Sequence, residues 1–166
     1  MDKLLEDIKK TPVSIGFLKS KVPPGVQVLS YKQLNRPRGE VFKKQKPVIA
    51  LLPKKGDDTG HFVALLPRER YIEYFSSLGG SPESELSELG EPLDIMKKLL
   101  GKNFIYNRIQ LQSGNYDVRD CAAWVLARVK LGKMRLRDFV KLFKRRTLSS
   151  SDDVVAMMTL LDFVDS

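Results

Sequence analysis

The chain holds one histidine, His61, and one cysteine, Cys121, in 166 residues. Each stands at the start of a predicted element. His61 follows Gly60 and opens an apolar run, and Cys121 stands where a loop becomes a helix. A helix N-terminus carries partial positive charge and free N–H groups, and these favour thiolate over thiol. An imidazole beside such a thiol takes its proton and can return it to a leaving amine. The pair could therefore perform nucleophilic acyl transfer. The loop before Cys121 could supply an oxyanion hole from the Cys121 N–H and a side-chain amide. Gln112 is the expected amide and Gln110 the reserve. Against this, a lone cysteine in an Ala-rich helix is usually packing, and a lone histidine at a strand start is usually structural.

Composition excludes other chemistry. One cysteine makes no internal disulfide, and one Cys with one His builds neither a zinc site nor a His-rich metal centre. No metal and no resident cofactor are expected. The hydrophobic fraction of 42% supports a core, and the length predicts a single domain over 1–166. No stretch reaches the ~18 apolar residues of a membrane helix. The N-terminus, Met1 to Lys10, interleaves charged and apolar residues unlike a signal peptide, so a reducing, cytosol-like setting without membrane association is expected. The net charge of +9 favours anionic partners.

The elements that must position the pair read as follows. A short amphipathic turn covers Leu4 to Ile8, and residues 22–46 are loop with one strand near Val26–Leu29. Pro47–Leu52 is a buried strand. His61–Leu66 and Arg70–Phe75 form an antiparallel hairpin, closed by Ser76-Ser77-Leu78-Gly79-Gly80. The acidic, Ser-rich residues 81–91 predict a solvated loop. Leu93–Leu100 is a helix stopped by Gly101, and Phe104–Leu111 a strand. A helix runs from Cys121 toward Gly132, with Asp117 or Asp120 as its cap. A second, Leu136–Phe143, places Leu136, Phe139, Val140 and Phe143 at i, i+3, i+4 and i+7. A third spans about 152–163. Strands in the middle and helices after them predict an α+β fold. Trp124, Val125, Tyr71 and Tyr74 are expected in the core.

The order of these features resembles the adenovirus-type (adenain-like) maturation proteases and the related proteases of ubiquitin-like proteins. Gly60-His61-Phe62 is similar to the family's His-Trp element, with Phe in place of Trp. Tyr71 to Gly79 is similar to the strand ending in Asp-Ser-Leu/Met-Gly, and Gln112 to Cys121 to the Gln-loop-Cys element. The resemblance covers about residues 48–130. It implies a papain-like/adenain-like fold, a central mixed sheet flanked by helices. It also implies a cysteine endopeptidase with Cys121 as nucleophile, His61 as general base and Gln112 at the oxyanion.

The family's acidic third member falls on Ser76, which could orient the ring by a hydrogen bond but carries no charge. Glu73 is the nearby carboxylate, although strand alternation puts it on the other face. Ala122 stands where the family has Gly, and the gap from Gln112 to Cys121 is longer than the family's. The compact chain and its basic helical end resemble the enzymes of adenovirus-like DNA elements, a virophage or polinton-like (mavirus-like) source. The resemblance implies capsid or core precursors as substrates, a monomer, and action in the host cytoplasm and the virion.

Residues 128–146 concentrate positive charge. Lys133, Arg135, Arg137, Lys141, Lys144, Arg145 and Arg146, together with Arg128 and Lys130, predict a basic outer face for DNA, or else a solvated helix surface. The resemblance adds DNA as an activator. Two other functions stay open: a protease of ubiquitin-like proteins, and a non-catalytic basic nucleic-acid-binding virion protein.

Overall fold

The computed structural model describes residues 15–54, 60–112 and 118–144. The amphipathic turn expected at Leu4 to Ile8 and the helix expected at about 152–163 lie outside these, as do Arg145, Arg146 and Asp117. The fold is α+β, a mixed five-stranded sheet with helices on both faces. The strands are β1 (Gln27–Ser30), β2 (Val48–Pro53), β3 (Gly60–Pro67), β4 (Ile72–Phe75) and β5 (Phe104–Tyr106), lying side by side in chain order. β2, β3 and β4 form an antiparallel meander, and β1 and β5 add in parallel at the two edges.

The helices are α1 (Ile15–Lys21), α2 (Arg38–Val41), α3 (Pro82–Leu89), α4 (Asp94–Leu100), α5 (Val118–Lys130) and α6 (Leu136–Lys144). Both sheet faces are covered, so the central strands are apolar almost throughout rather than alternating. The pleat sends Phe62, Ala64 and Leu66 of β3 toward α5 and α6, where Trp124, Val125, Phe139 and Phe143 receive them. Val63 and Leu65 face the other layer, with Leu86 and Leu89 of α3 and Met96 and Leu99 of α4. Edge-on aromatic contacts lock α6 to α5 and to the sheet: Trp124 to Phe143 at 4.8 Å and Phe75 to Phe139 at 5.4 Å between ring centroids. No helix among the described residues is long and apolar enough to cross a membrane.

Four sequence expectations are corrected. Residues 81–91 are not a solvated loop, because Pro82–Leu89 is the helix α3. Ser81 caps it, its hydroxyl accepting the Ser84 N–H at 3.2 Å. Pro82 preorganises the first turn, Glu83 and Glu85 complement the helix dipole, and Gly90 ends it at φ 76°. Second, the strand expected over Phe104–Leu111 stops at Tyr106. There the Asn107 side chain turns the backbone away, donating to the Ser76 and Ile109 carbonyls and accepting the Ser76 N–H. Third, α5 begins at Val118, so Cys121 is its fourth residue and Asp120 lies inside the helix rather than capping it. Fourth, Tyr71 is exposed while Tyr74 is buried.

Candidate active site

The ring of His61 stands where the two layers meet. By alternation His61 shares a face with Val63 and Leu65, and it is paired with Leu52 of β2. The pairing of β4 with β3 ends at Phe75 opposite Ala64. Past that end the ring reaches both sides. Nδ1 lies 2.9 Å from Cys121 Sγ on α5, and Nε2 lies 2.8 Å from Ser76 Oγ in the turn after β4. His61, Ser76 and Cys121 are all fully buried.

Ser76 does not end the chain of contacts. Its hydroxyl donates to Glu85 Oε2 on α3 at 2.5 Å and accepts the Leu78 N–H at 3.2 Å. The other carboxylate oxygen, Oε1, accepts the Tyr74 hydroxyl at 2.5 Å and lies 3.6 Å from His61 Nε2. Directions follow from donor arithmetic. A carboxylate only accepts, so the single Ser76 proton goes to Glu85. The serine oxygen must then accept from His61 Nε2–H. Nδ1 is thereby left to exchange a proton with the thiol.

Burial opposes a positive charge on the His61 ring. The interactions with Cys121 and Glu85, and the negative charge of both, outweigh it and raise the ring's pKa to about 9. The ring is therefore an imidazolium through the neutral range, facing a sulfur on one side and a carboxylate relay on the other.

Glycines make room for this arrangement. A side chain on Gly80 would meet Glu85 Cγ at 2.7 Å and Oε2 at 2.8 Å. Gly79, at φ +75°, presses against the Ile109–Gln110 backbone, where an added Cβ would come within 2.4 Å. The loop 107–112 is thus held flush against the turn. The Leu111 and Gln112 N–H groups donate to the Ser77 carbonyl at 2.8 and 3.0 Å. Gln112 is buried, and its Oε1 accepts the Ser77 hydroxyl at 2.5 Å. Gln110 is turned back on the same loop, donating to the Gln112 carbonyl at 2.9 Å.

Glu73 is elsewhere. It forms a two-point ion pair with Arg128, at 2.8 Å to Nε and 3.0 Å to Nη2, on the α5 side of β4. Its place opposite Ser76 follows from the pleat, and it has no contact with the ring. The expectation that Arg128 belongs to the basic outer face is corrected by the same pair, because Arg128 is fully buried. Lys133, Arg135, Arg137 and Lys141 are exposed on and before α6. Lys144 ends that helix. Among the described residues no cluster of His, Cys, Asp and Glu could hold a metal ion.

Sequence reasoning missed Glu85. The signal was present: Ser81-Pro82 is a helix start, and Glu85, Leu86 and Leu89 then share one inward face. Acidic composition masked it.

No family model and no curated protein matches the sequence. Solved structures do match in shape. The central domain of the uncharacterized Lpg1148 protein from Legionella pneumophila superposes with a TM-score of 0.52 at 13% identity, over 92% of this chain and 97% of that one. The ASFV pS273R protease gives 0.42 at 14%, over 87% and 61%. The C-terminal Ulp1 protease domain, solved in complex with Smt3, the yeast ortholog of SUMO, gives 0.36 at 16%, over 99% and 78%. At these identities the chain is similar to the first of them in fold.

Proposed function

We propose that the protein is a cysteine endopeptidase. The observation that carries the reading is the 2.9 Å separation of His61 Nδ1 from Cys121 Sγ, with the ring held from behind by Ser76. Burial of both groups excludes water and strengthens the ion pair between thiolate and imidazolium.

In the proposed reaction the Cys121 thiolate attacks the scissile carbonyl and a C–S bond forms. Gln112 donates its amide N–H to the developing oxyanion. The peptide C–N bond breaks as His61 Nδ1 gives its proton to the leaving amine. Nδ1 then takes a proton from water, whose oxygen adds to the thioester. The C–S bond breaks, which releases the acid and restores the thiolate. Ser76 keeps Nε2 protonated throughout, so that only Nδ1 exchanges protons.

The substrate in this reading is an extended protein segment with small residues such as Gly at the scissile bond, because a buried thiol excludes bulk. The resemblance of the His61, Ser76, Gln112 and Cys121 elements to adenovirus-type enzymes supports the narrower assignment, cleavage of capsid or core precursors of a virophage-like particle. The exposed cations of α6 support DNA as an activating surface.

The test is co-expression with candidate precursors. Cleavage that disappears with Cys121→Ala supports the reading, and cleavage that persists overturns it.

A further inference from the structure

Resting on the endopeptidase reading, we infer that Glu85 is the charged positioning residue of the site, acting on His61 through the Ser76 hydroxyl.

Three observations converge on it. Glu85 is 2% exposed, and a carboxylate is almost never so buried without a strong compensating arrangement. The two carboxylate oxygens take two hydroxyl donors, Ser76 and Tyr74, each at 2.5 Å. A site built only to satisfy a structural carboxylate needs no imidazole, yet Oε1 is also 3.6 Å from His61 Nε2. Third, the backbone is shaped for it. Gly80 leaves free the space that the Glu85 carboxylate fills, and α3 puts Glu85 in its first turn, where the helix dipole favours an anion.

Serine at position 76 is therefore not an empty third position. It is a neutral spacer that brings a carboxylate from the next helix to the ring. Ser76 Oγ accepts from Nε2 and passes its own proton toward Glu85, so a positive ring polarises the whole row. Among the described residues, the groups that raise the His61 pKa are Cys121 from α5 and Glu85 from α3, with Tyr74 of β4 behind Glu85. β2 faces the ring with the apolar Leu52.

The experiment measures the pH dependence of Cys121 alkylation by iodoacetamide, and of peptidase kcat/KM, in the wild type, Glu85→Gln, Ser76→Ala and the double variant. Alkylation needs no substrate, so it tests the relay even if no peptide is cleaved. Loss of the endopeptidase reading would show instead as peptidase activity indifferent to Cys121→Ala. Opposite charge at this range shifts a pKa by roughly 1–3 units. The basic limb, near pH 9 in the wild type, is expected to fall by about one unit or more in Glu85→Gln. Ser76→Ala should move it in the same direction, and the double variant should add little to either single change, since both cut one relay.

A purely structural Glu85 would lower the folded fraction without moving the limb. Wild-type limbs in folded Glu85→Gln, or two shifts that simply add, would overturn the inference. If Glu85→Gln does not fold by circular dichroism, Ser76→Ala decides alone. A shifted limb upholds the relay and an unshifted one overturns it.

Discussion

Glu73 and Glu85 lie on opposite sides of the same strand, one locked to Arg128 and the other aimed at His61 through Ser76. Two buried carboxylates on opposite faces of β4 thus have separate duties. Glu73 ties β4 to the end of α5, and Arg128 extends the tie by donating to the Leu131 and Met134 carbonyls that lead into α6. Removing one member of a buried pair strands the other, at a cost of about 3–5 kcal/mol. Glu73→Ala should lower stability by that amount in urea denaturation. The folded fraction should keep the wild-type pH profile of Cys121 alkylation. A shifted profile would place Glu73 in the reactive site after all.

The raised pKa of His61 gives stability a pH dependence of definite sign. The folded ring holds its proton up to about 9, while the unfolded ring releases it near the ordinary 6.5. Between these values the native state binds more protons than the unfolded chain, so stability falls as pH rises. The contribution is fully present below about 6.5. Denaturation midpoints measured from pH 6 to 10 should decline through this window, and the slope should flatten in His61→Phe.

Gln112 offers a kinetic prediction. Loss of one oxyanion donor typically lowers kcat about 10²–10³-fold. Gln112→Ala should do so with little change in the alkylation rate of Cys121, because alkylation develops no oxyanion. Equal losses in both measurements would point to a packing role through Ser77 instead.

Gly80→Ala tests the shape of the turn. Its new methyl would displace the Glu85 carboxylate, the nearer contacts being 2.7 and 2.8 Å. The expected result is a folded protein whose basic limb moves toward that of Glu85→Gln. An unaltered profile would mean that the carboxylate moves without consequence.

The exposed cations Lys133, Arg135, Arg137 and Lys141 predict salt-dependent, sequence-independent DNA binding. The slope of log K against log salt should be about −0.9 for each phosphate neutralised. Replacing Arg137 and Lys141 with Gln should lower that slope by about two units of contact. Binding that ignores salt would dismiss the electrostatic surface.

How much was legible in the sequence depends on range. The hairpin bearing His61 and the helices bearing Cys121 and Phe139 declare themselves through local apolar runs and period. The meeting of His61 with Cys121 could be suspected from the order of elements, since each residue has no substitute of its type. Glu85 could not be found from composition. Its segment is acidic and Ser-rich, which masked the Ser81-Pro82 helix start, and the contacts of Leu86 and Leu89 with the sheet confirm which face turns inward. Arg128 was misplaced for the converse reason: a cation in a basic run is read as exposed until a buried partner from β4 is known. Ion pairs between distant positions leave no periodic mark.

The straddling position of His61 has a consequence for the life of the chain. Cys121 comes from the helix layer on one side of the sheet and the Glu85 carboxylate from the layer on the other, and they share one ring at the sheet's end. Neither layer alone brings Cys121, His61 and Glu85 together. In the proposed reaction, a nascent or partly folded chain therefore lacks the paired thiol and imidazole, and the catalytic arrangement is complete only when both layers have closed on the strands.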